Sequence, residues 1–565
     1  MTRINENKRL IGICLFLSIF ILGTILMFIT PTSIKVTYGG VKTTSDGELI
    51  SFNVFEPVGR ESEKKPAVII GHGIMANKEI MKGYAIELAA AGFVAVPFDF
   101  RGHAQSSGTL ERDKLINDVN AIKSYLFSRT DIDISSLGYI GYSMGGGPGN
   151  EIIKIDTAFQ CFIGVGTGLP TNASEIRLGT STHPLNVLMI QAKYDEAIEL
   201  SSVKAGIGLR VGLAADDVDV NKLYGSFDDG DAIMVFYDDN TDHLLLAWDQ
   251  DFIREARDWV INTFPWVKPV DENFYVNIRG LILVFQCIGG MGVFFLILEP
   301  MSDLIVKAKE EDRYRIDFPD ETIKSLSIKT NGYSLGLSLL GMIILIPFFL
   351  FLPLSIAGMM GLFLFGSAVS LTIMIWRIGK KANLRVKNVI KGVFKRPQGQ
   401  LLREIVLGAI LAAVLYVIVY LSTGLNYFAM IPYFIKVLWM PPYYAVYFFV
   451  FLILGLVFHC MLQVKFEDDL KNTCKVALLG FSFQMLYFVI YILLLSILMG
   501  SAFFMLTYFI AVPMLTLTSF TSTFLYQKTG NIVAGAIVNT TLFVGIIGTL
   551  SPFFLGIEML SIFVH

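Results

Sequence analysis

The sequence predicts an α/β domain with a mostly parallel sheet, preceded by one transmembrane helix and followed by a multi-span helical membrane bundle. Three observations predict it. Residues 10–29 form an unbroken apolar stretch, and about 20 such residues span a bilayer as a helix. Between residues 34 and 267, short apolar runs alternate with helical patterns, the signature of a parallel sheet with crossover helices. After Pro269 the chain consists mainly of long apolar segments. The 565 residues thus divide into an N-terminal transmembrane anchor (1–33), an α/β domain (34–267) and a polytopic membrane domain (268–565).

Composition agrees with this division. The chain is 54% hydrophobic and 16% charged, against about 25% charged in soluble domains. A net charge of −3 points away from nucleic acid as a partner. The five cysteines lack metal-ligand spacing, and Cys161 alone falls in the polar region, so no disulfide framework is expected there.

The first apolar stretch follows Arg3, Lys8 and Arg9 and ends Phe28-Ile29-Thr30-Pro31. It is longer than the apolar core of a cleaved signal and lacks a small-residue cleavage site, so it reads as an uncleaved anchor. In the α/β region, candidate strands cover residues 50–55, 67–70, 94–98, 137–140, 161–165, 187–191 and 232–237. Helical patterns cover 81–91, 113–128 and 251–264. Later apolar segments cover 281–298, 333–376, 405–421, 443–462, 476–524 and 532–554. The second and fifth are long enough for two spans each, broken near Pro353 and Gly500, which makes about eight spans here and nine overall.

Loop charge predicts orientation. Residues 377–403 hold nine Lys/Arg and no acid, which places them in the cytoplasm by the positive-inside rule. Counting spans back puts the α/β domain outside and the N-terminus inside, and Arg3, Lys8 and Arg9 agree. The expected location is the cell membrane, with the basic segment resting on anionic lipid headgroups.

Chemistry concentrates at strand exits. Gly141-Tyr142-Ser143-Met144-Gly145-Gly146 follows the run 137–140 and reads as a sharp strand-to-helix turn that leaves the Ser143 hydroxyl at its tip. Gly71-His72-Gly73-Ile74 follows another strand, and its turn can aim the Ile74 N–H at an oxyanion, with the Met144 N–H as second donor. Asp195 follows the strand 187–191, with Glu196 as a local rival. Of the six histidines, His243 alone lies after Asp195 in the α/β region at a strand exit. A serine hydroxyl becomes a good nucleophile when an imidazole takes its proton, and a carboxylate holds that imidazole in the right tautomer. Ser143, Asp195 and His243 occur in the chain order nucleophile, acid, base. Asp99 and Arg101, in Asp99-Phe100-Arg101-Gly102, read as a charged pair bracing a loop. The acids Asp216, Asp217, Asp219, Asp228, Asp229 and Asp231 read as a helix plus a solvated loop, without cation-binding spacing.

On these motifs residues 35–265 resemble the α/β-hydrolase superfamily, and Asp118 to Gly147 is similar to its dienelactone-hydrolase and serine-peptidase branches. The segment Thr44-Ser45-Asp46-Gly47-Glu48-Leu49-Ile50 resembles the family's opening hairpin. One departure is His103-Ala104, where the family often has Gly after Arg-Gly. The resemblance implies an eight-stranded sheet and hydrolysis of an ester, amide or peptide without cofactor or metal. Small molecules, lipids or peptides are the candidate substrates, and membrane lipids are expected neighbours. The competing reading is a transporter or receptor whose hydrolase-like domain binds a solute without turnover. In the membrane half, Thr529-Gly530-Asn531-Ile532 with Asn539 is faintly similar to the last motif of intramembrane CAAX-type proteases, which would have His at position 539. No paired glutamates on a span accompany it.

Overall fold

The computed structural model describes residues 2–60, 63–307, 312–316, 318, 321–499, 505 and 507–554. A long helix, Thr2–Ile29 (α1), leads into eight strands: Ile34–Thr43 (β1), Leu49–Pro57 (β2), Lys65–Gly71 (β3), Val94–Phe98 (β4), Ile132–Tyr142 (β5), Phe159–Val165 (β6), Asn186–Tyr194 (β7) and Ile233–Asp242 (β8). They form one sheet in the order β1-β2-β4-β3-β5-β6-β7-β8. The β1–β2 and β2–β4 pairs are antiparallel, and every pair from β4 to β8 is parallel. All six parallel strands therefore end on the same edge.

The central strands are apolar without alternation because helices cover both faces. Every residue of β3, Lys-Pro-Ala-Val-Ile-Ile-Gly, is buried. Helices Lys82–Ala90 (α2) and Gln250–Thr263 (α6) contribute Tyr84, Leu88, Phe252 and Trp259 to the core on one face. Helices Leu115–Phe127 (α3), Gly146–Ile155 (α4) and Leu200–Val211 (α5) contribute Val119, Ile122, Ile152 and Ile207 on the other. Each fully buried aliphatic side chain of this kind stabilises the fold by roughly 1.5–3 kcal/mol. The first strand is not among the seven that the sequence predicts. It lies on the sheet edge with more than half its positions solvent-facing, and its register shifts between Thr37 and Gly40, so no apolar run marks it.

The remaining helices are Val276–Ile305 (α7), Ile323–Leu350 (α8), Ser355–Lys381 (α9), Val386–Phe394 (α10), Gln400–Val419 (α11), Phe434–Gly455 (α12), Leu470–Met499 (α13), Tyr508–Thr529 (α14) and Val533–Leu550 (α15). Among the described residues eight helices are long and apolar enough to cross a membrane. Where the eighth of the nine spans is expected, α14 is helical but carries Thr516, Thr518, Ser519, Thr521, Ser522 and Thr523, which lower its hydropathy. The break expected near Pro353 separates α8 from α9, while Gly500 lies outside the described residues. The short helix α10 is an addition to the predicted elements. It buries Val389 and Val393 and exposes Lys387 and Lys391, an amphipathic pattern hidden by the density of charge around it.

The bundle has two distinct ends. At one end Arg279, in the first turn of α7, donates to the carbonyls of Met27 (3.0 Å) and Thr30 (2.6 Å), tying the end of α1 to the start of α7 beside the sheet. At the other, Glu299 pairs with Arg9 (2.9 Å) and Lys528 (3.1 Å). The helix α9 runs from Leu354, which bridges to Phe553, to the basic stretch at Lys380 and Lys381. Residues 377–403 and the sheet therefore occupy opposite ends.

Candidate active site

The turn after β5 is built around a strained serine. Tyr142 is extended (φ −91°, ψ 125°), Ser143 has φ +50°, and a short helical turn, Ser143–Gly145, feeds α4. A non-glycine residue held in this left-handed region costs about 1–3 kcal/mol, which the surrounding packing offsets. The turn needs small neighbours. A Cβ on Gly145 would lie 2.8 Å from the carbonyl carbon and oxygen of Gly71 and 2.9 Å from the His72 carbonyl oxygen. Those atoms are backbone of the adjacent strand exit and cannot yield.

His243 lies just past β8 and is held at several points. Its Nε2 is 2.9 Å from Ser143 Oγ, and its Nδ1 is 2.9 Å from both carboxylate oxygens of Asp195. Tyr142 OH donates to the His243 carbonyl (3.0 Å), and the His243 N–H donates to Glu196 Oε2 (3.3 Å). The ring rests on Gly166 (φ +53°), where a Cβ would lie 3.1 Å from its Cε1 and Nδ1. Asp195 is fixed in turn, because its Oδ1 accepts from the N–H groups of Ala197 and Ile198 at 2.9 Å each. Asp195 and His243 side chains are 1% and 3% exposed, whereas Ser143 is half-buried and reachable. An imidazole locked between a buried carboxylate and an accessible hydroxyl can take a proton from that hydroxyl and return it elsewhere.

The structure thus brings Ser143, Asp195 and His243 into one hydrogen-bonded row. It also separates the two acids that the sequence leaves as rivals: Asp195 holds the ring and Glu196 holds the backbone. Burial raises the Glu196 carboxyl above its usual range. The turn after β3 runs directly beside the serine, since a Cβ on Gly73 would lie 3.1 Å from Ser143 Cβ. Ile74 follows Gly73 and Met144 follows Ser143, and their side chains pack against the same apolar cluster. The Met144 N–H belongs to the first helical turn, where backbone donors lack intrahelical acceptors. Met75, next to Ile74, has φ +61°, so strain sits on both sides of the site.

Asp99 and Arg101 take separate partners instead of forming the charged pair expected. Asp99 accepts from Lys78 Nζ (2.5 Å) and Lys78 N (2.8 Å). Arg101 forks onto Asp118 (2.7 and 2.9 Å) and reaches Asp46 (2.7 Å). Sequence adjacency suggests the pair, but at a strand exit the two side chains diverge. Among the described residues no group of three or more His, Cys, Asp or Glu could hold a metal ion.

The sequence marks His72 only as part of a turn, yet the side chain braces that turn. Its Nδ1 donates to the Gly73 carbonyl (2.7 Å) and its Nε2 accepts from the Phe100 N–H (3.0 Å), a pattern that requires the neutral ring. Burial pushes its pKa from 6.5 down to about 4, against the pull of Asp99. Between those values the unfolded chain binds the proton and the folded one does not, so this group's contribution is present above pH 6.5 and is lost as pH falls to about 4. At about 1.4 kcal/mol per unit, the loss is on the order of 3 kcal/mol. A His72→Asn variant, less stable at neutral pH, is expected to show a flatter decline of Tm between pH 7 and 4 than the parent protein. Parallel declines in thermal unfolding would refute the assignment.

Comparison with known proteins gives partial likenesses. No protein-family model matches the chain. An uncharacterised 31.7 kDa protein from the traX-finO intergenic region of Escherichia coli is 28% identical over 125 residues, covering 21% of this chain and 42% of that one. An uncharacterised protein of Mycobacterium tuberculosis is 28% identical over 80 residues, covering 14% of this chain and 28% of that one. The chain thus spans less than half the length of these curated relatives. Similar solved structures include the Pyrococcus furiosus esterase Pf2001 (TM-score 0.31, 15% identity, covering 41% of this chain and 93% of that one). Another is DcsB in complex with its substrate analogue (TM-score 0.32, 15% identity, covering 42% and 99%). A third is a cold-adapted esterase from an Arctic intertidal metagenomic library (TM-score 0.29, 16% identity, covering 41% and 94%).

Proposed function

We propose that the chain is a membrane-embedded serine hydrolase that cleaves an ester, amide or peptide bond through an acyl-enzyme. The reading rests on one observation: the row Asp195–His243–Ser143, closed at 2.9 Å on each side of the ring and ending on a half-buried serine with φ +50°. In the reaction Ser143 Oγ attacks the carbonyl carbon while His243 Nε2 takes its proton. Asp195 stabilises the imidazolium and fixes the tautomer in which Nε2 is the base. The N–H groups of Ile74 and Met144 hold the oxyanion. His243 then gives its proton to the leaving alcohol or amine, and water, deprotonated by the same ring, releases the acid. Reaction with a fluorophosphonate probe tests this directly: the protein is expected to be labelled and Ser143→Ala is not. Equal labelling of both, or of neither, would sink the proposal.

The α/β domain (34–267) is assigned to the extracytoplasmic side, and the N-terminus to the cytoplasm. The support is that the basic segment 377–403 and the sheet occupy opposite ends of the bundle, with Arg9 at the basic end. In intact cells an impermeant thiol reagent is expected to modify Thr182→Cys and to spare Asn383→Cys, both at exposed positions. The reverse pattern would invert the topology.

A further inference from the structure

The catalytic edge of the sheet is pressed onto the membrane half. The loops following β3, β4 and β8 each touch it. After β3, Asn77 Oδ1 accepts from the Ala429 N–H (3.1 Å), and Lys82 donates to the Leu425 carbonyl (2.8 Å). After β4, Ala104 O accepts from the Tyr433 N–H (2.7 Å), while Gly102 and Leu110 pair through their backbones with Phe553. After β8, the Trp248 ring meets Tyr427 and Phe428 edge-on at 6.0 and 5.2 Å. All these partners belong to the segments 425–433 and 551–554, which leave the ends of α11 and α15.

The two halves also exchange apolar side chains. Phe554 is buried in the α/β cluster against which Ile74 and Met144 pack. Phe428 packs against the cluster on the opposite face, and Met75 packs against the core of the membrane bundle. Gly73 runs beside Ser143, since a Cβ added to it would lie 3.1 Å from the serine Cβ, and Met75 is two residues further on, at most about 7 Å of extended chain. The nucleophile is therefore separated from the bundle by little more than one turn of backbone. It lies beside the segments that leave the ends of α11 and α15, two helices long and apolar enough to cross a membrane.

We propose that the substrate is an acyl ester carried by the membrane itself. It is a lipid whose carbonyl is presented at the headgroup–hydrocarbon boundary and whose acyl chain runs along the apolar surface shared by Ile74, Met144 and the membrane half. This rests on the serine-hydrolase reading and adds the substrate class to it. Ser143 Oγ forms a bond to the acyl carbon, and the bond from that carbon to the alkoxy oxygen breaks. The serine proton passes through His243 to the departing alcohol. Water then cleaves the acyl-enzyme and releases a fatty acid, with no oxidant or second reactant required. The segment 425–433 is a wall that positions the lipid.

The test uses the full chain reconstituted in phosphatidylcholine–phosphatidylglycerol vesicles. Hydrolysis of an embedded fluorogenic long-chain ester is compared with that of the water-soluble p-nitrophenyl acetate, and fluorophosphonate labelling of Ser143 is read alongside. The embedded ester is expected to be preferred in kcat/KM by at least about tenfold. Phe428→Ala, and independently Tyr427→Ala, is expected to lower the embedded-to-soluble ratio about fivefold or more, with labelling of Ser143 retained. Retained labelling and soluble-ester turnover without a preference for the embedded ester would overturn the substrate class and leave the hydrolase reading standing. An unchanged ratio in both labelled variants would overturn the role of the wall. Loss of labelling in the parent protein would overturn the hydrolase reading, and this inference with it.

Discussion

Replacing Ser143 with alanine is expected to lower kcat on an activated ester by roughly 10⁴–10⁶-fold while leaving thermal unfolding within about 1 kcal/mol of the parent. The substitution removes the hydroxyl and with it the hydrogen bond to His243 Nε2. Alanine meets the same φ of +50° with the same Cβ, so the turn keeps its shape. What survives is the activity of the oxyanion donors and of binding. His243→Ala is expected to fall about as far, and the double variant about as far as either single one, because the row acts as a unit. Stopped-flow or steady-state ester hydrolysis checks this. A loss in Ser143→Ala of less than about tenfold would place the nucleophile elsewhere.

Asp195→Asn and Glu196→Gln are expected to part company. Both acids approach His243, but Asp195 touches the ring and Glu196 only the backbone N–H. An asparagine amide can donate to Nδ1. The imidazole is then held with its hydrogen on Nε2, facing the hydroxyl whose proton it should accept. The expected loss in kcat is roughly 10³–10⁴-fold. Glu196→Gln keeps an acceptor for the backbone N–H and leaves the tautomer alone, so a change of less than about tenfold is expected. Burial already raises the Glu196 carboxyl, so the site tolerates its neutral form. Equal effects of the two substitutions would mean that the carboxylates act together.

Much of this geometry is legible in the chain because it depends on strand exits. Among the parallel strands, β3 and β4 are buried throughout and β5, β6 and β7 are buried over their central residues, so they read as continuous apolar runs whose ends can be located without a partner; β8, on the sheet edge and partly half-buried, is still marked by the apolar residues 232–237. Ser143, Asp195 and His243 each follow such an end. The edge strand β1 is silent for the opposite reason: with solvent on one side and glycines at its register shift, it has no run to read. Glu196 stands out as a rival acid, but its role as a backbone anchor depends on how β7 and β8 align near Tyr194 and Asp242. The partners of Asp99 and Arg101 are illegible, because Lys78, Asp118 and Asp46 lie on three other segments. The contacts between the halves are illegible too. They join a loop near residue 77 to one near 429, and nothing in either stretch marks the other.

The burial of Phe554 among the side chains beside the sheet has a consequence for how the protein is made. About 300 residues separate the last strand from this phenylalanine, and at about 5–20 residues per second the ribosome needs on the order of 15–60 s to supply it. During that interval the newly made sheet waits with one seat in its interior vacant. Only a chain translated past α15 closes that gap, so assembly of the α/β half reports on completion of the helical half.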